Sequence, residues 1–439
     1  VINTGTTSSS NVTLDFQGTS NSIANFNTTN GVIDNRAVGK TNNNIAFNFQ
    51  EGTSPETGGG LQGTTEIKGQ YDVRFKGNNN VVYNMIAAAN DLKITNSDTG
   101  FTDTLETWNT QNKGRIFTYG NNNVVYYGYG AAVGANSKLS LHDVQMQGDN
   151  SVMVALTPLR GASGAAIGTG GIFNGNIELQ GAFGGDGGSN NRAIAIYAAS
   201  SQYQGLNPGA VMAGKGSATG LKDVIVNKFN VGFNSDVRNG ISIYSRNGTS
   251  VKVGEDNTNN ITDGLQDSKR TFADIKLSGV STGHVMGYAA GELKDNNNMQ
   301  NFLGNSVTDN RASKIHFAKA VDLMAKNGFA FLATNGGEIK AEGDVRAAGS
   351  QSVVAYANGR SNSGDFASKV TVAGKVVAAD WLTLNNNDYN GMTDTNKART
   401  YENIGAYAEN GGTIKLRLQD QQQLRHLKKL ELIQIQITL

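Results

Sequence analysis

Apolar residues along this chain come in short blocks of about three to five, alternating with small or polar residues, and runs of Gly, Asn and Ser separate the blocks. A period of two puts one face of a strand inward and the other outward. Gly77-Asn78-Asn79-Asn80-Val81-Val82-Tyr83 recurs almost unchanged as Gly120-Asn121-Asn122-Asn123-Val124-Val125-Tyr126, with the tyrosines 43 residues apart. Looser versions follow at Ile194-Ala195-Ile196-Tyr197, Ile241-Ser242-Ile243-Tyr244, Val285-Met286-Gly287-Tyr288, Phe329-Ala330-Phe331, Val353-Val354-Ala355-Tyr356 and Ile404-Gly405-Ala406-Tyr407. Their aromatics are spaced by 71, 47, 44, 43, 25 and 51 residues. These values sit near one, two or three times a unit of roughly 22 to 25, the size of a solenoid coil. A Gly/Asn/Ser turn and a second short strand follow the aromatic, as in Asn247-Gly248-Thr249-Ser250-Val251-Lys252-Val253, Asn335-Gly336-Gly337-Glu338-Ile339-Lys340 and Asn410-Gly411-Gly412-Thr413-Ile414-Lys415-Leu416. Leu139-Ser140-Leu141 and Val370-Thr371-Val372 continue the pattern.

Strands this short suit a coil in which each lies beside its equivalent one coil later, about 4.8 Å away. The expected fold is all-β: a right-handed parallel β-helix (β-solenoid) forming an elongated rod. Inward Val, Ile, Leu, Ala and aromatics would stack on their own kind, with Tyr at inward or corner positions and Asn ladders in the turns. At about 24 residues per coil the chain would make about 17 coils and a rod ~80 Å long. A β-propeller would show a more regular period of ~40–45 residues. The window Arg311 to Asn327, with Ile315, Phe317, Val321 and Leu323, fits either one helix or two strands. Strands are preferred there because Phe329-Ala330-Phe331 continues the repeat.

Gly, Asn and Ser content marks five segments as turn insertions: Glu51–Thr64, Leu159–Gly188, Gln204–Gly220, Glu255–Lys269 and Asn385–Lys397. Protruding from a rigid scaffold, they are the default places for ligand contact. Residues 1–412 read as one β-helix segment and 413–439 as an atypical tail. From about Leu416, Gly and Asn give way to Gln, Leu and Ile; Leu424, Leu427 and Glu431 fit one helical face, and Ile433, Ile435, Ile437 and Leu439 alternate. The tail reads as a cap or as a foreign segment such as a reading-frame scar.

Composition sharpens the picture. There are 56 Gly but only 3 Pro, and 38% of residues are hydrophobic, so the chain is turn-rich yet able to build a core, unlike a disordered segment. The net charge is +1 and no Lys/Arg run occurs, so neither nucleic acid nor an anionic membrane is an expected partner. The chain has no Cys, as suits a protein that crosses the periplasm unfolded. No apolar run approaches the ~18 residues of a membrane span, so this segment is not expected to insert directly. It begins at Val1 without a charged-then-apolar leader and reads as a piece of something longer.

Motifs for catalysis or cofactor binding each lack a necessary residue. Gly209-x-x-x-x-Gly214-Lys215-Gly216 resembles a phosphate-binding loop, but Gly216 stands where a metal-binding hydroxyl is required. Asn386-x-Asp388-x-Asn390-Gly391 starts like a calcium loop, yet Lys397 occupies the position of its bidentate Glu. Gly184-Gly185-Asp186-Gly187-Gly188 lacks the later Asp and tandem copies of a calcium nonapeptide. The four histidines, His142, His284, His316 and His426, are scattered, so no metal site is expected. The only carboxylate group worth testing for glycan hydrolysis is Glu255, Asp256, Asp263 and Asp267, read first as solvated loop charges. The expectation is a protein that is not an enzyme, with no cofactor, no catalytic residue and no metal; specific binding residues are not identified.

The Gly-Asn-Asn-Asn-Val-Val-Tyr repeats, together with Asn335-Gly336-Gly337 and Asn410-Gly411-Gly412 before short strands, resemble the passenger region of type Va autotransporters. More narrowly the chain is similar to the large fusobacterial outer-membrane adhesins of the RadD kind, over roughly residues 1 to 412. The tandem Ser-x-Ala-x-Gly head repeats of trimeric adhesins are missing. The resemblance implies type V secretion to the extracellular cell surface, anchoring in the outer membrane through a part not in this chain, and adhesion as a monomeric rod to host or bacterial cell-surface proteins or glycans. The alternatives are a polysaccharide-degrading β-helix such as a phage tailspike, and a spacer that holds a distal tip away from the cell.

Overall fold

The computed structural model describes residues 12–16, 35–39, 42–43, 45–50, 65–69, 73–86, 92–96, 116–129, 138–157, 176–183, 190–199, 224–233, 237–254, 261–262, 283–293, 311–323, 327–347, 351–378 and 404–416. Among the described residues there are strands and turns and no helix. Nearly all pairing is parallel; the exceptions are Glu292–Leu293 against Arg311–Ala312 and a bridge from Arg360 to Ala367. The described residues fall into two units. One lies within Val1–Ala182, Ile196–Ile225 and Lys294–Asp309, the other within Phe183–Ala195, Val226–Leu293 and Asn310–Leu439.

In the first unit, Ile45–Gln50, Val81–Ile86, Val124–Tyr129 and Val152–Thr157 stack in that order into one parallel sheet. A second sheet runs Val12–Phe16, Asn35–Gly39, Val73–Lys76, Ile116–Tyr119 and Lys138–Gln147. The last strand is long enough to serve two partners, since Lys138–Ser140 pair with Leu92–Asn96 and Val144–Gln147 with Ile116–Tyr119. Like residues meet in register: Val81, Val124 and Val152 align, and buried Phe47 stacks on buried Tyr83 at 5.2 Å and 12°.

The Gly-Asn-Asn-Asn turn carries this ladder from one sheet to the other. Gly77, Gly120 and Gly148 hold φ of 130°, 127° and 125°, a backbone closed to other residues, and a Cβ on Gly120 would fall 2.1 Å from the Gly77 carbonyl oxygen. Two residues on, Asn79, Asn122 and Asn150 are left-handed, which Asn tolerates best among non-glycines. The Asn78 amide donates to Asn42 Oδ1 at 2.7 Å, Asn121 to Asn78 Oδ1 at 2.8 Å and Asp149 to Asn121 Oδ1 at 2.9 Å. Inside the turn, Asn123 Nδ2 donates to the carbonyls of Gly77 and Gly120 at 3.0 and 2.9 Å, while its Oδ1 accepts from the Asn80 amide at 2.9 Å. One buried side chain thus closes its own turn and fastens it to the previous coil.

In the second unit the chain visits three parallel sheets in rotation. Phe329–Thr334, Glu338–Ala341 and Val345–Ala347 are followed by Val353–Asn358, Lys369–Val372 and Val376–Ala378, each on its predecessor, and then by Ile404–Glu409 and Thr413–Leu416. Before them, Ile241–Arg246 pairs with Val285–Ala290, Ser250–Val253 with Lys314–Phe317, and Ile261–Thr262 with Val321–Leu323. Val251, Ile315, Ile339, Val370 and Ile414 form one fully buried column. In the neighbouring sheet Ser245, Ala289, Ala333, Ala357 and Ala408 form a column of small buried residues, and Gly337 and Gly412 pack closely on Ala289 and Ala357 of it. Buried serines replace the turn asparagines: Ser313 Oγ accepts from the Gly248 amide at 2.8 Å and donates to the Ala290 carbonyl at 2.7 Å, and Ser368 Oγ does the same between Gly336 and Asn358.

Three expectations need correction. Spacings near 43 are single coils, not two: Tyr83 lies opposite Tyr126, and Asn80 bonds Asn123 across 43 residues. Equivalent coil-to-coil contacts span 28 residues at Asn121–Asp149, 24 at Gly328–Ser352 and 51 at Asn358–Glu409. A fixed unit of roughly 24 residues, and the coil number built on it, therefore fail. Second, Leu159–Gly188 contains the strand Asn176–Phe183 and Glu255–Lys269 contains Ile261–Thr262, so neither is wholly an insertion. Third, Thr413–Leu416 pairs with Lys369–Val372, so the stack runs past residue 412; residues 417–439 lie outside the described residues. The window Arg311 to Asn327 holds the strands Lys314–Phe317 and Val321–Leu323, as expected.

Candidate functional site

The aromatics that looked like one repeat belong to two columns one residue apart. Successive strand residues point to opposite faces, and in the second unit that single step separates buried from accessible rings, whereas in the first unit Tyr126, the adjacent Tyr127 and Tyr197 are all buried. In the second unit the third residue of each strand points into the core: Ile243, Gly287, Phe331, Ala355 and Ala406 are in register, with Phe331 tilted against Phe317 at 5.3 Å. The fourth residue remains partly accessible while its two neighbours are buried. This outer column is Tyr244, Tyr288, Leu332, Tyr356 and Tyr407. At about 4.8 Å per coil it extends ~19 Å.

The rings are ordered by each other and by a polar column two residues further along. Tyr244 stacks on Tyr288 at 4.5 Å and 5°, and Tyr356 on Tyr407 at 5.5 Å and 9°. Phe329 meets Tyr356 edge-on at 5.8 Å. Thr334 Oγ1 donates to the Tyr288 hydroxyl at 3.2 Å. Glu409 accepts from the hydroxyl of Tyr356 and, at 3.3 Å, from that of Tyr407. Asn358 Nδ2 reaches both the Tyr356 oxygen at 3.0 Å and Glu409 Oε1 at 2.7 Å. Burial, and then the hydrogen bond to Glu409, push the Tyr356 phenol above its usual range, so it stays a neutral donor. Tyr407 is 37% exposed, the most open ring of the column. Rigid aromatic surface with fixed hydroxyls beside Asn and Glu can bind sugar rings or side chains of a partner at little entropic cost.

Glu255, Asp256, Asp263 and Asp267 lie outside the described residues, as do Gly209–Gly216, Gly184–Gly188 and 386–397. So do the nominated insertions Glu51–Thr64, Gln204–Gly220 and Asn385–Lys397. Among the described residues, no three His, Asp or Glu side chains converge to hold a metal ion. His142 falls in the strand Lys138–Gln147, His426 lies outside the described residues, and His316 bonds Glu342 at 3.2 Å on an outer face.

His284 pairs with Ser242 at 3.0 Å, which has the spacing of a nucleophile and its base, but both residues are fully buried. Its ring packs 4.3 Å from Phe233. With Nε2–H donating to Ser242 Oγ, that hydroxyl is free to reach Met286 Sδ at 3.7 Å, and Nδ1 remains a bare acceptor with no partner among the described residues. Burial lowers the imidazole pKa to about 3, which keeps it neutral. This pair is a core element.

The aromatic column was missed in sequence because Tyr244, Tyr288, Tyr356 and Tyr407 read as inward or corner residues. Their place after three alternating residues, as in Ile241-Ser242-Ile243-Tyr244, was only a partial signal, since Tyr197 holds the same place and is buried. Comparison of the chain with family models, with curated proteins and with solved structures finds no match.

Proposed function

We propose that this chain is the passenger segment of a surface-displayed adhesin: a right-handed parallel β-helix forming an elongated rod, exported to the outside of a Gram-negative cell. It is held to the outer membrane through a part outside this chain and binds proteins or glycans on host or bacterial cells, without catalysis. The observation that carries the reading is the outer column of Tyr244, Tyr288, Tyr356 and Tyr407, ordered by stacking and by hydroxyl bonds. A column kept only for core packing would have no need of rings left open to solvent. The stacked parallel strands support the reading by supplying a stiff platform.

The test is binding of the purified chain to cells, compared with a variant in which Tyr244, Tyr288, Tyr356 and Tyr407 become Ser. Loss of two or three aromatic anchors costs 10-fold or more in affinity, on the order of 1–2 kcal/mol each. Unchanged binding by a variant with unchanged circular dichroism would refute this site.

A further inference from the structure

The sheet next to the aromatic column presents a different chemistry. Its strands Ser250–Val253, Lys314–Phe317, Glu338–Ala341, Lys369–Val372 and Thr413–Leu416 bury their second and fourth residues and display the first and third. The first positions align as Ser250, Lys314, Glu338, Lys369 and Thr413, and the third as Lys252, His316, Lys340, Thr371 and Lys415. Each coil therefore contributes one lysine, and the lysine switches column at every coil: Lys252, Lys314, Lys340, Lys369, Lys415. The rise per step is about 4.8 Å and the columns lie ~7 Å apart. Two carboxylates share the face. Glu338 sits between Lys314 at 3.1 Å and Lys369 at 3.2 Å, and Glu342 bonds Lys340 at 2.5 Å. Among the described residues, five lysines against two glutamates leave the face cationic, although the whole chain is nearly neutral.

We propose that this face binds a linear anionic polysaccharide, carrying sulfate or carboxylate on successive sugars, laid along the coil direction over the alternating lysines. The zigzag offers one lysine per coil on alternating sides, which matches a chain whose successive residues turn their charged groups to alternate edges and compete with Glu338 and Glu342 for the ammonium groups. A single-stranded nucleic acid is the weaker fit, because such binding needs aromatic side chains for base stacking and neither column contains Phe, Tyr or Trp. Lysines spread singly over a flat sheet also suit a flexible polyanion better than one compact phosphate, which calls for converging donors. This inference goes beyond the adhesin reading: it concerns another face and holds or fails in a purified system.

Immobilised heparin probes the sulfated class and polygalacturonate the carboxylated class, with oligothymidylate as the nucleic-acid competitor. The full chain is expected to be retained at about 0.15 M salt and released as screening rises. Changing Lys252, Lys340 and Lys415 together to Gln, all on one column, should lower affinity about tenfold with melting unchanged. Glu338→Gln should raise affinity, whereas a purely structural role for its ion pairs predicts no gain. Failure of the wild-type chain to bind either polysaccharide, equal binding by the triple variant, or weaker binding by Glu338→Gln would overturn the proposal. So would competition by oligothymidylate at the same charge concentration.

Discussion

Lowering the pH puts a calculable load on His284. The folded core accepts only its neutral ring, with a pKa of about 3 against an ordinary 6.5. As pH falls through about 6.5 the unfolded chain takes up a proton that the folded chain refuses. Stability from this residue is therefore complete above about 6.5 and declines by about 1.4 kcal/mol per pH unit down to the folded pKa. Between pH 7 and 4.5 the loss is about 3 kcal/mol, a large share of a typical domain's margin. Carboxylates titrate over part of the same range, so the assay compares two proteins. Urea unfolding of the wild type and of His284→Phe, which keeps an aromatic ring beside Phe233, is followed by near-ultraviolet circular dichroism from pH 7.5 to 4.5. The difference in unfolding free energy should move by about 3 kcal/mol in favour of the variant as pH falls. Because coils lean chiefly on their neighbours, amide exchange at Ser242 and Met286 should report the same trend locally. Parallel pH profiles for the two proteins would show that the folded state protonates His284 readily, and the account of its burial would be wrong.

Asn123→Ala removes three hydrogen bonds and leaves the Asn80 amide buried without its acceptor, a cost of about 3–5 kcal/mol; proteolysis within the first unit should accelerate, and a wild-type cleavage rate would contradict the ladder. Gly287→Ala brings a Cβ to 2.7 Å from the Phe317 ring, an overpacking cost of about 1–3 kcal/mol. Gly337→Ala should be worse, because its Cβ would lie 2.1 Å from the Ala289 carbonyl oxygen, which cannot swing aside. Denaturant midpoints of the two variants in the opposite order would reject the packing of these sheets.

Much of the local structure was legible because the physics is local. Alternation marked the strands, and Gly77-Asn78-Asn79-Asn80 marked a turn that needs positive φ at Gly77 and Asn79. The strands at Ile315–Phe317 and Val321–Leu323 followed from the neighbouring repeat at Phe329-Ala330-Phe331, since their own spacing fits a helix as well. What could not be read is set by partners distant in sequence. Whether 43 residues make one coil or two depends on which strand Val124–Tyr129 bonds, and nothing near Tyr126 encodes that. Tyr127 and Tyr197 are buried and Tyr244 accessible although all three hold the fourth position of their strands, so what packs around a strand, and not its local pattern, decides which ring is displayed. The lysine face was invisible for the same reason: Lys252 and Lys314 become neighbours only when two strands with a long connection between them pair.

Residues in register on neighbouring coils lie between 23 and 64 positions apart, as in Val12 opposite Asn35 and Ser250 opposite Lys314. Loop-closure entropy grows only logarithmically, so doubling a connection costs about 0.6 kcal/mol. The neighbours of a coil sense the alignment of its strands and are nearly indifferent to what hangs between them. New sequence can enter at such a junction without renegotiating the core, which makes the scaffold tolerant of diversification at its periphery and a practical frame for grafting foreign peptides.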